Sequence, residues 1–324
     1  MLPGMLLLIA PAVICFAKEV EMADLKITEQ HLKEHMEMLT RTIGERSAGK
    51  LWNLEKAAGY IESFYKKIQV DSKREAYPFK KETVHNIVAD VGPDTGTPEV
   101  YIIGAHYDSV AGTVGADDNG SAVAVQLEVA RQLAELKETE LGCRVRFISF
   151  ALEEPPAYAT WTMGSRVYAK KARKTKEQID GMICLEMVGY TCNEPGCQSY
   201  PFPLMFFDYP KTGDYIGIVG NFRSRKFTRE LYESFQAGGY LPVESVVVPG
   251  NGYLIPNIRL SDHASFWDKG YKAVMITDTA FYRNPNYHTP RDTMDKLDFS
   301  FMARLVESLV HFFVQKVPDK ETLK

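Results

Sequence analysis

The sequence carries no excess of positive charge. Its 38 Lys and Arg against 42 Asp and Glu leave a net charge of −4 and an isoelectric point near 6.0, so no long-range field draws the chain toward nucleic acid. The one basic run, Lys170 to Lys176, has the pattern of a solvated helix end. Long apolar runs are missing too. Residues 6–17, LLLIAPAVICFA, fall short of the roughly 20 residues that a bilayer-spanning helix requires, and Cys15-Phe16-Ala17 at their end fits a small-residue cleavage site. A signal peptide over residues 1–20 and export of the remaining domain, 21–324, are therefore expected, with no integral membrane association after processing. No Lys or Arg precedes the apolar run, and a start at Met22 would instead leave a cytoplasmic protein. A lipid anchor at Cys15 fits less well, because Ile14 is bulky where such a signal wants a small residue.

Cysteine is scarce, at five residues. Cys143 and Cys184 sit inside apolar strand patterns and read as buried thiols. Cys192 and Cys197 bracket Asn193-Glu194-Pro195-Gly196, a turn sequence short enough for a local disulfide in an oxidising compartment, with two free loop thiols as the alternative. With no second pair, they do not make a zinc finger. Repeats, low-complexity tracts and linker-like segments are also lacking, which argues against an inserted lid or dimerisation domain.

What the chain does have is alternation. Two helical patterns, 28–43 and 51–68, come first, the second with Leu54, Ala57, Ala58, Ile61, Phe64 and Ile68 at helical spacing. Strands are then predicted near 84–91, 100–105, 144–151, 181–188, 215–219, 243–248 and 272–277, and helices near 119–137, 162–175, 225–237, 263–269 and 298–316. The implied architecture is an α/β three-layer sandwich: a mostly parallel mixed central sheet with helices on both faces. The longest irregular stretch, Thr191 to Asp214, is rich in aromatics and proline and suits either a rigid loop over a pocket or a loop packed on the domain body.

The chemistry gathers where apolar runs end. His106 follows Tyr101-Ile102-Ile103-Gly104-Ala105, and Asp108, two positions on, can hold one imidazole nitrogen so that the other keeps a lone pair for metal. Gly112, Gly115 and Gly120 allow a tight loop around Asp117-Asp118. Glu153-Glu154 close a second apolar run, and Glu186 lies inside a third, where an unpaired carboxylate would cost several kcal/mol that a metal would remove. Tyr287-His288-Thr289 comes late in the chain. Imidazole and carboxylate donors converging on one sheet edge suit zinc or a similar divalent ion. A competing H-x-x-E-H pattern, His31 to His35, reads as accidental, since Leu32, Met36, Leu39 and Ile43 form the buried face of that helix and no glycine loop or strand adjoins it.

From about Asn86 to Asp298, the segments GAHYDS, GADDNGS, FALEE, LEMVGY, SDHASFW and NPNYHTPRDT, in this order and spacing, resemble metallopeptidase family 28, the di-zinc aminopeptidases. Carried over residue by residue, the resemblance implies two zinc ions per chain. Asp117 would bridge them, His106 and Glu186 holding one, Glu154 and His288 the other, with Glu153 as general base. It also implies a cis peptide between Asp117 and Asp118, and peptides with a free N-terminus as substrates. Two departures stand out: Glu186 where many relatives carry Asp, and Pro155-Pro156 where a glycine-containing turn is common.

Asp262 and His263 fall in a recurrent family segment and are expected either beside the pocket or behind the ligands, with helix capping by Ser261 or Asp262 as the alternative. Phe281, Tyr282 and Tyr287 flank His288 closely enough to line a substrate pocket. Other readings on the same scaffold are a dipeptidase or carboxypeptidase selecting a free carboxylate through Arg283 or Arg291, a one-metal glutaminyl cyclase, and a receptor-like relative without activity. The last predicts decayed ligands, and all five are present.

Overall fold

The apolar runs at the middle of the chain become neighbouring strands because both of their faces are covered. The computed structural model of the protein describes residues 24–94, 99–137, 140–202, 205 and 207–316; the leader expected over residues 1–20 lies outside them. Among the described residues the strands are β1 (Ser72–Phe79), β2 (Glu82–Val91), β3 (Val100–His106), β4 (Arg144–Phe150), β5 (Gly181–Glu186), β6 (Ile216–Asn221), β7 (Val243–Val248) and β8 (Ala273–Thr277). They form one mixed sheet in the order β1-β2-β4-β3-β5-β8-β6-β7. The central four, β4, β3, β5 and β8, run parallel, while β2 and β6 join that block antiparallel on its two sides.

Helices cover both faces, as three layers require. The first occupies 24–36 and continues as a wider π-turn, Glu37–Ile43; together they are α1. It is followed by α2 (Leu51–Lys67), α3 (Ala122–Glu135), α4 (Gly164–Thr175), α5 (Arg225–Gly238), α6 (His263–Asp268) and α7 (Phe299–Val314). Side chains of α1, α2, α3, α5 and α7 share one apolar core with Tyr101, Ile103 and Ala105 of β3. On the opposite face Ile102 packs in a second core with Tyr168 of α4 and Phe266 and Trp267 of α6. Burial on both sides explains why β3 reads as a continuous apolar run rather than an alternating one.

One strand escapes the hydrophobic pattern altogether. β1, SKREAYPF, is an edge strand paired only to β2. Its charged side chains are tied by ion pairs, Arg74 with Glu55 and Glu62, and Glu75 with Lys171. Charge along an edge guards it against pairing with other chains, and it also erases the apolar signal by which strands are read.

The loop between β3 and α3, which carries several of the acidic residues, is held by a buried arginine. Arg46, fully buried, donates to the backbone carbonyls of Leu39, Gly44, Tyr107, Val114 and Gly115. The planar guanidinium reaches five acceptors here, three of them sharing Nη1 and one each on Nε and Nη2, and a single ammonium with three hydrogens could not cover the same span. Arg46→Met is expected to destabilise the fold by about 3 kcal/mol or more, because buried carbonyls lose their partners, with Arg46→Lys recovering little of it. Urea unfolding of the three proteins checks this; wild-type stability in Arg46→Met would overturn it.

Candidate metal centre

The carboxyl ends of the four parallel strands converge on one acidic cleft, as open α/β sheets dictate. His106 is the last residue of β3 and Glu186 the last of β5. Glu153 and Glu154 follow β4, and His288 lies in the loop beyond β8. Asp118 enters from the irregular turn Ala116–Ser121 that precedes α3. Its Oδ1 is 3.4 Å from His106 Nε2, and its Oδ2 is 3.1 Å from His288 Nε2. Glu186 Oε2 stands 3.5 Å from His106 Nε2, and Glu154 Oε2 stands 3.4 Å from His288 Nε2. The result is two groups that could each hold a metal ion, His106-Asp118-Glu186 and Asp118-Glu154-His288, sharing one aspartate.

Asp117 therefore does not occupy the shared position expected for it; Asp118 does. The Asp117 carboxylate turns into the protein, accepting from Gly189 N at 2.9 Å and Asn284 Nδ2 at 2.6 Å and lying against Asp278. The cis peptide likewise joins Asp118 to Asn119, one position later than expected. The physical reason is the turn itself: Asp118 and Asn119 have non-helical backbone angles, so neighbouring side chains leave in different directions. Asn119 and Asp292 lock the arrangement. Asn119 bonds Leu185 O and Met187 N, and Asp292 accepts from the backbone N–H groups of both Asp117 and Asp118.

Asp108 makes the matching clamp on the other side. Its two oxygens accept from the backbone N–H groups of Glu153 and Glu154 at 2.9 and 3.0 Å, and Oδ1 lies 3.3 Å from His106 Nδ1. Ser261 Oγ donates to Glu186 Oε2 at 2.6 Å. Asp292 lies in NPNYHTPRDT and Ser261 in SDHASFW, so both could have been picked from those segments; Arg46 and Asp278 carry no comparable signal.

The electrostatics follow from crowding. Burial alone would lower the basicity of His106, but Glu186, Asp108 and Asp118 outweigh it and push the ring well above its ordinary value. His288 is raised to about 10 by Asp118 and Glu154, again against burial. Burial would lift Asp118, yet the two imidazoles hold it below the usual carboxylate range. Glu154 is pushed up to about 8 by burial and then by Asp118, and Glu153 well above its ordinary value by burial first and by Glu154 and Glu186 after. Neither nitrogen of His106 makes a hydrogen bond, nor does Glu154 Oε1, although all three atoms are buried. A divalent ion in each group would take the Nε2 lone pair of His106 and balance the carboxylates, so the donor set fits zinc or a similar ion.

The remaining expected residues divide. Tyr287 stacks on the His288 ring, with centroids 3.8 Å apart, and Phe281, Tyr282 and Tyr287 line a cavity that opens beside Glu186. Asp262 and His263 do not line it. Both are fully buried: burial lifts Asp262 to about 7 and lowers His263 to about 3, and His263 bonds Ile258 O and packs edge-on against Trp267. Asp262 makes no cap on α6 either, so its place is behind the cluster. Arg283 is buried, bonding Gln198 and the carbonyl of Tyr215. Cys192 and Cys197 are joined at S–S 2.09 Å. His31 and His35 lie apart from one another's partners, bonding Glu128 and Tyr60 respectively. No described helix is long and apolar enough to cross a membrane.

A sheet edge that collects paired histidines and carboxylates in this way defines a metallohydrolase scaffold. The profile of peptidase family M28 matches residues 86–313, and the chain belongs to that family of peptide-bond-hydrolysing enzymes. It is similar to YfbL of Escherichia coli K12, an uncharacterized protein, with 38% identity over 289 residues covering 87% of this chain and 86% of that one. Leucine aminopeptidase 1 of Metarhizium robertsii is 24% identical over 299 residues, covering 89% of this chain and 68% of its own. Among solved structures, the LapA aminopeptidase of Legionella pneumophila superposes with TM-score 0.70 at 21% identity, covering 92% and 74% of the two chains. The glutaminyl cyclase of Porphyromonas gingivalis shares the fold at TM-score 0.64 and 18% identity, covering 90% and 98%.

Proposed function

We propose that the protein is a zinc aminopeptidase that holds two ions and releases the first residue of peptides bearing a free N-terminus. The observation that carries this reading is the sharing of Asp118: one carboxylate presents an oxygen to each of two separate histidine-carboxylate groups. His106 and Glu186 would complete one ligand set, Glu154 and His288 the other. The chemistry that ions held by these residues would supply is polarisation of a peptide carbonyl and a water made more nucleophilic near neutral pH.

The chain's own residues supply the rest. Glu153 belongs to neither ligand set, yet it is buried and its Oε2 lies 4.0 Å from His106 Nε2. It would take a proton from the attacking water and deliver it to the departing amine. Asp108 aims that carboxylate by gripping the Glu153 and Glu154 backbone, and it orients His106. Arg283 is buried and bonds Gln198 and the Tyr215 carbonyl, so of the two arginines considered for a terminal carboxylate only the exposed Arg291 is left.

Leucine aminopeptidase 1 and LapA support this reading by name, and the glutaminyl cyclase supplies the alternative to be excluded. The test is a digest of short peptides with free and with acetylated N-termini. Hydrolysis is expected only for the free ends, to vanish on chelation, and to return with added zinc, with close to two equivalents bound per chain by elemental analysis. Cyclisation of N-terminal glutamine with a single bound metal would sink the assignment.

A further inference from the structure

The sheet connects the metal centre to a second acidic residue that the proposed chemistry does not use. Register pairs Glu186 of β5 with Thr277 of β8, Thr277 with Gly217 of β6, and Gly217 with Glu244 of β7. These four therefore form one row across the sheet on the same face, and Glu244 stands three strand spacings, about 14 Å, from Glu186. Gly217 puts no side chain into the row and leaves the floor between the two glutamates open.

The cavity beside Glu186 runs along this row and includes Glu244 among its walls. The next row on the same face, Met275, Val219 and Val246, is apolar. Tyr209, Phe281 and Leu260 close the cavity from the loops. Glu244 is half-buried, and among the described residues its carboxylate makes no hydrogen bond and no ion pair. Burial lifts its pKa, and no charged neighbour offsets that. Arg283, which packs behind Tyr215 with its guanidinium 4.6 Å from the ring, is engaged elsewhere. A half-buried carboxylate at the end of an apolar channel offers a long cationic side chain both a charge partner and a surface for its stem.

We propose that Glu244 is a specificity residue that selects peptides whose first side chain is long and cationic, lysine or arginine. Such a side chain lays its aliphatic stem along Met275, Val219 and Val246 and brings its charge to Glu244, whereas leucine leaves the far carboxylate facing empty space. This rests on the aminopeptidase reading above, and it concerns the same cleft.

The test measures kcat/KM of the zinc-loaded protein on aminoacyl coumarins carrying Arg, Lys, Met or Leu, for wild type, Glu244→Gln and Glu244→Asp. Wild type is expected to prefer Arg and Lys over Leu. Glu244→Gln should lower kcat/KM for Arg and Lys roughly 10- to 100-fold, the worth of a charged hydrogen bond, while Met and Leu change less than twofold. Glu244→Asp keeps the charge and should retain part of the preference. Leu cleaved as well as Arg by wild type, or an equal loss on all four substrates in Glu244→Gln, overturns the inference and leaves the aminopeptidase intact. If wild type cleaves none of the four, the aminopeptidase reading falls and the inference with it.

Discussion

Replacing Asp118 with asparagine is expected to lower kcat/KM by at least ~10³-fold and to strip bound metal from the protein. Asp118 offers an oxygen to both ligand groups, so its loss weakens two positive centres at once, each worth several kcal/mol of transition-state stabilisation. Asp117→Asn is the informative partner. The Asp117 carboxylate meets Gly189, Asn284 and Asp278 and stands outside both groups, and removal of a group that orients ligands costs ~10–100-fold in metal affinity or activity. Metal content by elemental analysis and rates on one peptide rank the two variants. A full metal complement in Asp118→Asn, or a greater loss in Asp117→Asn, would overturn the placement of Asp118 between the groups.

Glu153→Gln is expected to lose activity by ~10²–10⁴-fold while fold and metal content stay as they are. Glu153 is buried beside His106 but stands outside both ligand groups, so the amide should preserve packing and remove only the proton-accepting oxygen. The matching loss at the adjacent position differs in kind: Glu154→Gln should reduce metal content together with rate, since Glu154 Oε2 lies 3.4 Å from His288 Nε2. Circular dichroism and metal analysis on both variants separate proton transfer from ligation. Unchanged turnover in Glu153→Gln would end its candidacy as the base.

Much of the scaffold was legible because burial is written into short apolar runs. Seven strands fall on the predicted runs, and the helices at 51–68, 162–175, 225–237, 263–269 and 298–316 fall within a residue or two of theirs. His106, Glu153 and Glu154 were legible for the same reason, since each follows the end of such a run and a parallel sheet brings those ends together, whereas Glu186 was legible as a carboxylate inside an apolar run, which the structure makes the last residue of β5. β1 was not legible, because an edge strand that keeps its charges in water carries no apolar pattern. Glu244 gave no sign either: its place across from Glu186 depends on the register of three strand pairs.

The sequence by itself determined which strands would be buried, that they would lie largely parallel, and which imidazoles and carboxylates would come out at their carboxyl ends. Only the tertiary structure decided which of two adjacent aspartates faces the cleft, which buried groups hold it there, and where the cavity leads. The difference is physical. Alternation and apolarity are local properties of a regular strand, whereas in the turn Ala116–Ser121 side-chain direction is set by backbone angles at Asp118 and Asn119 and by bonds from Asp292, Leu185 and Met187, residues distant in the chain.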